Sequence, residues 1–172
     1  IISQAFKFHS QGNIPQAVKY YQYFIDHGFT DHRVFTNYGV ILKDQGNIKE
    51  AEILHRKALK LNPGSADAHC NLGTILIDTG HFKEAEFSLR KAIELDPDLA
   101  EAYSNLGKIF IDIGNLEEAE LSLRKAIELN PDLAIPHSNL AKVLIDIGQF
   151  KQAESSTRKA IELNPDLAEA YS

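Results

Sequence analysis

Four asparagines recur at a fixed step of 34 residues, Asn37, Asn71, Asn105 and Asn139, and each is followed seven positions later by an aspartate: Asp44, Asp78, Asp112 and Asp146. A spacing of seven is two turns of α-helix, so each amide and its carboxylate lie on one side of a helix. An amide offers both donor and acceptor, which suits pairing with an extended peptide backbone whatever its side chains. The carboxylate row biases such a surface towards basic or neutral ligands. Thr74 lies between Asn71 and Asp78 on the same side. Lys108 and Lys142 precede Asp112 and Asp146 by one turn and are expected to neutralise them in part. The alternative is that the amides only bridge neighbouring helices.

Bond-making chemistry finds little support. The seven histidines are scattered, no H-E-x-x-H occurs, and no glycine-rich loop is present to cradle phosphate. Cys70 is the only cysteine, which excludes an intramolecular disulfide and a thiolate metal cluster. Nothing beside it in sequence would activate the thiol. No catalytic residue, metal or cofactor is expected.

At 172 residues, 44% hydrophobic and net charge −6, the chain suits one soluble domain. Its acidic balance argues against nucleic acid, which requires a basic stripe. No apolar run approaches the roughly 20 residues needed to span a bilayer. The lone cysteine fits a reducing compartment, and a cytoplasmic location is expected. The chain starts at Ile1, has no methionine, and stops at Ser172, five residues into another copy of its repeat. It reads as an excerpt from a longer protein.

What must position the amides is a repeat. Ala66 to Leu99 recurs from Ala100 to Leu133 and from Ala134 to Leu167, with a divergent copy over 32–65 and a worn, incomplete one over 1–31. Residues 168–172 begin a further copy, and 1–172 reads as a single array. Register is kept by Pro63, Pro97, Pro131 and Pro165, by Gly46, Gly80, Gly114 and Gly148, and by Ala51, Ala85, Ala119 and Ala153. A fixed period without drift means a solenoid of stacked units.

Each unit reads as two helices. Helix A of the copy at Ala66 carries Ala68, Leu72, Ile75 and Leu76 as one apolar face and stops at Gly80. Helix B runs from about Phe82 to Leu95 with Phe82, Ala85, Leu89, Ala92 and Ile93 as its stripe. Gly73 and Ala85 mark a close approach of the two backbones. Asp98 with Glu101 reads as a capping box for the next helix A. Glu52 with Arg56, Glu86 with Arg90, Glu120 with Arg124 and Glu154 with Arg158 read as a solvated outer face. At the worn end, Phe24 takes a column held elsewhere by Ala58, Ala92, Ala126 and Ala160, so this copy packs differently, as a cap does.

The N-L-G run at Asn71 to Gly73 and Asn105 to Gly107, with those glycine, alanine and proline columns, resembles the tetratricopeptide repeat. Phe35 and Tyr103 fill its aromatic position, whereas His69 and His137 depart from it and are expected to be structural. The resemblance implies an all-α solenoid of antiparallel helix pairs in a right-handed superhelix, with helices A lining a concave surface. It implies a protein-interaction scaffold, similar to bacterial repeat arrays and to the repeat arm of O-linked N-acetylglucosamine transferases. A chaperone-tail carboxylate clamp is not expected, because the matching positions Thr36, Val40, Asn71, Glu101 and Asn105 hold no cation.

The expected role is therefore binding of a protein or peptide segment, basic or neutral, in the concave groove. The alternatives are a substrate-recruiting arm of a larger enzyme such as a glycosyltransferase, or a self-assembling scaffold. Helix B around Ala153 to Leu163 is expected to leave apolar surface open to weak self-association.

Overall fold

The computed structural model describes residues 1–167, and within them ten α-helices follow one another. They are α1 (Ile2–Ser10), α2 (Ile14–Asp26), α3 (His32–Asp44), α4 (Ile48–Leu61), α5 (Ala66–Asp78), α6 (Phe82–Leu95), α7 (Ala100–Asp112), α8 (Leu116–Leu129), α9 (Ala134–Asp146) and α10 (Phe150–Leu163). Each odd-numbered helix packs on the even-numbered helix after it, and each pair packs on the next. The fold is an all-helical solenoid of tetratricopeptide type.

Two local devices punctuate it. Odd helices end in a Schellman turn. The Gly80 N–H donates to the Ile77 carbonyl and the His81 N–H to the Leu76 carbonyl, at 3.0 and 2.8 Å, with Gly80 at φ +77°. Glycine is needed there because that left-handed conformation crowds any Cβ. From α4 onward, even helices end in a different way. The side-chain oxygens of Asn62, Asp96, Asn130 and Asn164 each accept the backbone N–H two residues on. The proline in between cannot extend the helix, so this Asx turn and Pro63, Pro97, Pro131 or Pro165 together redirect the chain.

The capping box at Asp98 is not formed. The N-cap of α7 is Leu99, which makes no side-chain cap bond, and the Asp98 N–H is held by Asp96 Oδ1 at 3.1 Å. Asp98 belongs to the preceding turn, one residue too early to cap the helix. The same pair is expected to recur as Asp166 with Glu169, of which Glu169 lies outside the described residues.

The core runs the length of the stack in three abutting clusters. Ala68, Leu72, Ile75 and Leu76 are all buried on α5, as are Ala85, Leu89 and Ala92 on α6, while Phe82 and Ile93 flank them. A Cβ on Gly73 would lie 3.5 Å from the backbone oxygen of Ala85, the expected close approach, and 2.7 Å from Leu89 Cγ, whose side chain fills the space the glycine leaves. At the worn end Phe24 rests on Phe29, with ring centroids 5.3 Å apart, in place of an alanine contact.

The stack bends for a reason visible in its contacts. α3 touches α5, α5 touches α7 and α7 touches α9, so the odd helices stand close together. The even helices are joined across the outside by long side chains, Arg56 to Glu84 at 2.6 Å and Arg124 to Gln152 at 2.8 Å. The odd helices line the inner side. The outer face carries the four Glu–Arg pairs one turn apart, each at 2.8–2.9 Å.

Candidate functional site

The four asparagines fall in the middle of α3, α5, α7 and α9, and each is half-buried. Asp44, Asp78, Asp112 and Asp146 are the last residues of those helices and are exposed. Within each helix the structure keeps amide and carboxylate on the same helix side, seven residues apart. It also divides the asparagines into two kinds.

Asn105 donates from Nδ2 to Thr74 Oγ1 at 2.9 Å, with Cys70 Sγ at 4.0 Å on the same nitrogen. Asn37 reaches the Tyr21 hydroxyl, which also lies 3.0 Å from His9 Nδ1. Burial raises the Tyr21 pKa, and the Asn37 bond opposes that rise. Asn71 and Asn139 have no hydrogen-bond partner among the described residues. The difference is set one repeat back. The position held by Thr74 is Val40 in the preceding copy and Lys108 in the following one. Valine has no acceptor and an ammonium is donor-only, so neither can receive an amide N–H. Half-buried amides without a partner are the groups a ligand would satisfy at least cost.

Lys108 corrects the expected charge pattern. Its Nζ lies 3.6 Å from Asp78 on α5, not on Asp112 of its own helix. Lysine N-terminal to a carboxylate is the weaker order along a helix, whereas the neighbouring helix end is within reach. Both groups are more than a third exposed, so the pair contributes little. Lys142 forms no ion pair among the described residues, and neither do Asp44, Asp112 and Asp146.

Cys70 is buried against Asn105. Burial chiefly, with the Glu101 carboxylate next, pushes its thiol up to about 12, so it stays protonated and unreactive at neutral pH. His69 and His137 donate from Nε2 to the carbonyls of Pro63 and Pro131 at 3.1 and 3.0 Å. Those histidines tie helix starts to the preceding joint, a structural role. Thr36 and Thr74 bond back to carbonyls within their own helices at 2.9 and 3.1 Å.

Sequence reading missed the column of residues on the even helices that faces the small-residue column of the odd ones. Repeat spacing aligns Tyr21, His55, Leu89, Leu123 and Thr157 opposite Ala5, Gly39, Gly73, Gly107 and Ala141. Tyr21 in that column is what engages Asn37. His55 is fully buried and neither ring nitrogen has a partner among the described residues. The signal was available: both differ from the leucines that hold this column at Leu89 and Leu123.

Tetratricopeptide-repeat models match residues 42–91, 73–114, 100–133 and 137–167, which together span most of the chain. No curated protein matches it. Among solved structures it is similar to MamA from Desulfovibrio magneticus RS-1, at 24% identity and TM-score 0.76, with 94% of this chain and 92% of that one covered. It is similar to YrrB, described as a TPR protein with an unusual peptide-binding site, at 24% identity and TM-score 0.72 over 96% and 85% of the two chains. It also resembles PilF of Pseudomonas aeruginosa, at 29% identity and TM-score 0.71 over 78% and 61%. The repeat register, the paired helices and the family matches agree: the chain belongs to the tetratricopeptide-repeat family.

Proposed function

We propose that residues 1–172 act as a single protein-interaction array that binds an extended peptide or protein segment along the inner side of α3, α5, α7 and α9. The observation that carries this reading is the pair of half-buried amides at Asn71 and Asn139 that have no partner among the described residues. The described peptide-binding site of YrrB, a protein of the same fold, supports it. Asp44, Asp112 and Asp146 lack a paired cation among the described residues, so the groove favours basic or neutral segments, with affinity falling as salt rises. The proposal places the chain in the cytoplasm, in a binding and not a catalytic role. No described helix is long and apolar enough to cross a membrane.

The test starts from peptides selected on the array from a random library. Each amide-to-backbone bond contributes about 0.5–1.5 kcal/mol net, so Asn71→Ala with Asn139→Ala should weaken binding roughly 5- to 150-fold. Melting should barely move, because neither amide holds another part of the fold. Asn105→Ala, which breaks the bond to Thr74, should lower the melting temperature instead. Binding that survives the double change would remove these two residues from the site.

A second reading, weak self-association, is favoured by one surface. Phe150 is 68% exposed beside an open cavity of about 430 Å³ formed with Ile145, Ala153, Thr157 and Ile161. Apolar surface of this kind is a partner for another chain. Sedimentation should show dimers that Phe150→Glu abolishes. Dimers that persist in the variant would place the interface elsewhere.

A further inference from the structure

A second recess, away from the asparagine row, breaks the charge pattern of the repeats. It has a volume of about 340 Å³ and lies where the turn after α2 meets the start of α3 and the end of α4. Ile25, Phe29, Phe35 and Leu61 give it an apolar wall, and Lys57 and Lys60 stand at its rim. Phe29 and Leu61 are each 49% exposed, so large apolar groups face solvent here. Phe29 occupies the column that holds proline in every later joint. Its ring is held in place against Phe24.

The lysines are the informative part. Lys57 aligns with Lys91, Lys125 and Lys159, each of which pairs with a glutamate three residues on: Glu94, Glu128 and Glu162. In this repeat alone the glutamate position holds Lys60. A pair that elsewhere cancels its charge has become two cations one turn apart, and neither has an ion-pair partner among the described residues. Like charges at that spacing are mildly unfavourable until an anion joins them. The cavity is at the small end of ligand sites, which run from about 300 to 1,000 Å³, and suits one large apolar side chain with its flanks.

We infer that this recess binds an acidic peptide segment, in which an aromatic or long aliphatic side chain enters the apolar wall and flanking carboxylates meet Lys57 and Lys60. Its charge preference is opposite to that of the asparagine face, so the array would hold two chemically distinct segments. An apolar anchor framed by ion pairs supplies both area and register.

The test uses the full chain and a fluorescein-labelled peptide with a Glu-Glu-Phe-Glu-Glu core, read by anisotropy. Peptides with a Glu-Glu-Ala-Glu-Glu or Lys-Lys-Phe-Lys-Lys core should bind at least about tenfold more weakly. Lys60→Glu should weaken the acidic peptide by about tenfold or more without lowering the melting temperature, because it recreates the lysine–glutamate pair of the other repeats. Asn71→Ala with Asn139→Ala should leave this binding intact, which separates the recess from the asparagine site. The inference is overturned if the acidic peptide binds no better than either control. It is equally overturned if Lys60→Glu leaves affinity unchanged, or if the asparagine variant abolishes it.

Discussion

Replacing His55 with leucine is expected to stabilise the fold at neutral pH and to remove a large part of its sensitivity to acid. The imidazole is fully buried on α4, and both nitrogens lack a partner among the described residues. Leu89 and Leu123 fill the same place in the next two repeats, so a leucine of similar volume has a proven environment there. Leaving a buried polar group unsatisfied costs about 1–3 kcal/mol, and His55→Leu should recover most of that near pH 7. Gly39 keeps the approach open, since a Cβ there would lie 2.7 Å from the ring.

The acid effect follows from the proton. Burial chiefly, and the Lys43 charge next, bring the His55 pKa from 6.5 down to about 4. Above 6.5 the ring is neutral in both folded and unfolded chains and contributes no pH dependence. As pH falls from 6.5 towards 4, the unfolded chain takes up a proton that the folded chain refuses, so stability is lost. A shift of this size is worth about 3 kcal/mol once the folded pKa has been passed. Asp31 and Glu84 also have lowered pKa values, through Arg33 and Arg56, but both are common to the two proteins, so their contribution cancels in the comparison. Urea titrations of the wild type and His55→Leu near pH 7 and pH 4 isolate the histidine. The gap between the two proteins should widen by about 3 kcal/mol on acidification. A gap that stays constant with pH would mean that the ring finds its proton in the folded state.

The architecture was legible because proline, glycine and alanine each mark a point where the backbone has little choice. Gly80 turns left-handed, Pro97 ends a helix, and Ala85 lets two helices approach. Every copy restates these constraints, so the helix bounds follow from them. The capping box was not legible, since Asp98 carries a helix-start signal but its own N–H is already taken by Asp96. The side of the helix that carries the asparagines follows from spacing alone. Which of them are engaged does not. The acceptor for Asn105 sits 31 positions earlier on another helix, and exchanging threonine for valine or lysine at that column decides the matter. The recess at Lys57 was hidden for the same reason: its wall is gathered from α2, the following turn, α3 and α4, and only the missing glutamate shows in sequence.

The contact between Gly107 and Leu123 should give a change of sign. A Cβ on Gly107 would lie 2.5 Å from Leu123 Cγ and 2.7 Å from its Cδ2. Leu123 is fully buried, and its truncation to alanine should cost about 2–5 kcal/mol through lost burial and the cavity left behind. Gly107→Ala in the wild type forces the leucine off its position, an overpacking cost of about 1–3 kcal/mol that outweighs or cancels the gain of about 1 kcal/mol from a better helix former. With Leu123→Ala already in place the obstruction is gone and the helix gain remains, so the same Gly107→Ala should stabilise by about 1 kcal/mol. The fourth repeat already shows the compensated pair, with Ala141 in the glycine column and Thr157 in the leucine column. A double-mutant cycle by chemical denaturation should therefore return a coupling of about 1–3 kcal/mol. Equal costs for Gly107→Ala in both backgrounds would show that the two helices have room to part, and that the glycine column is not what sets their spacing.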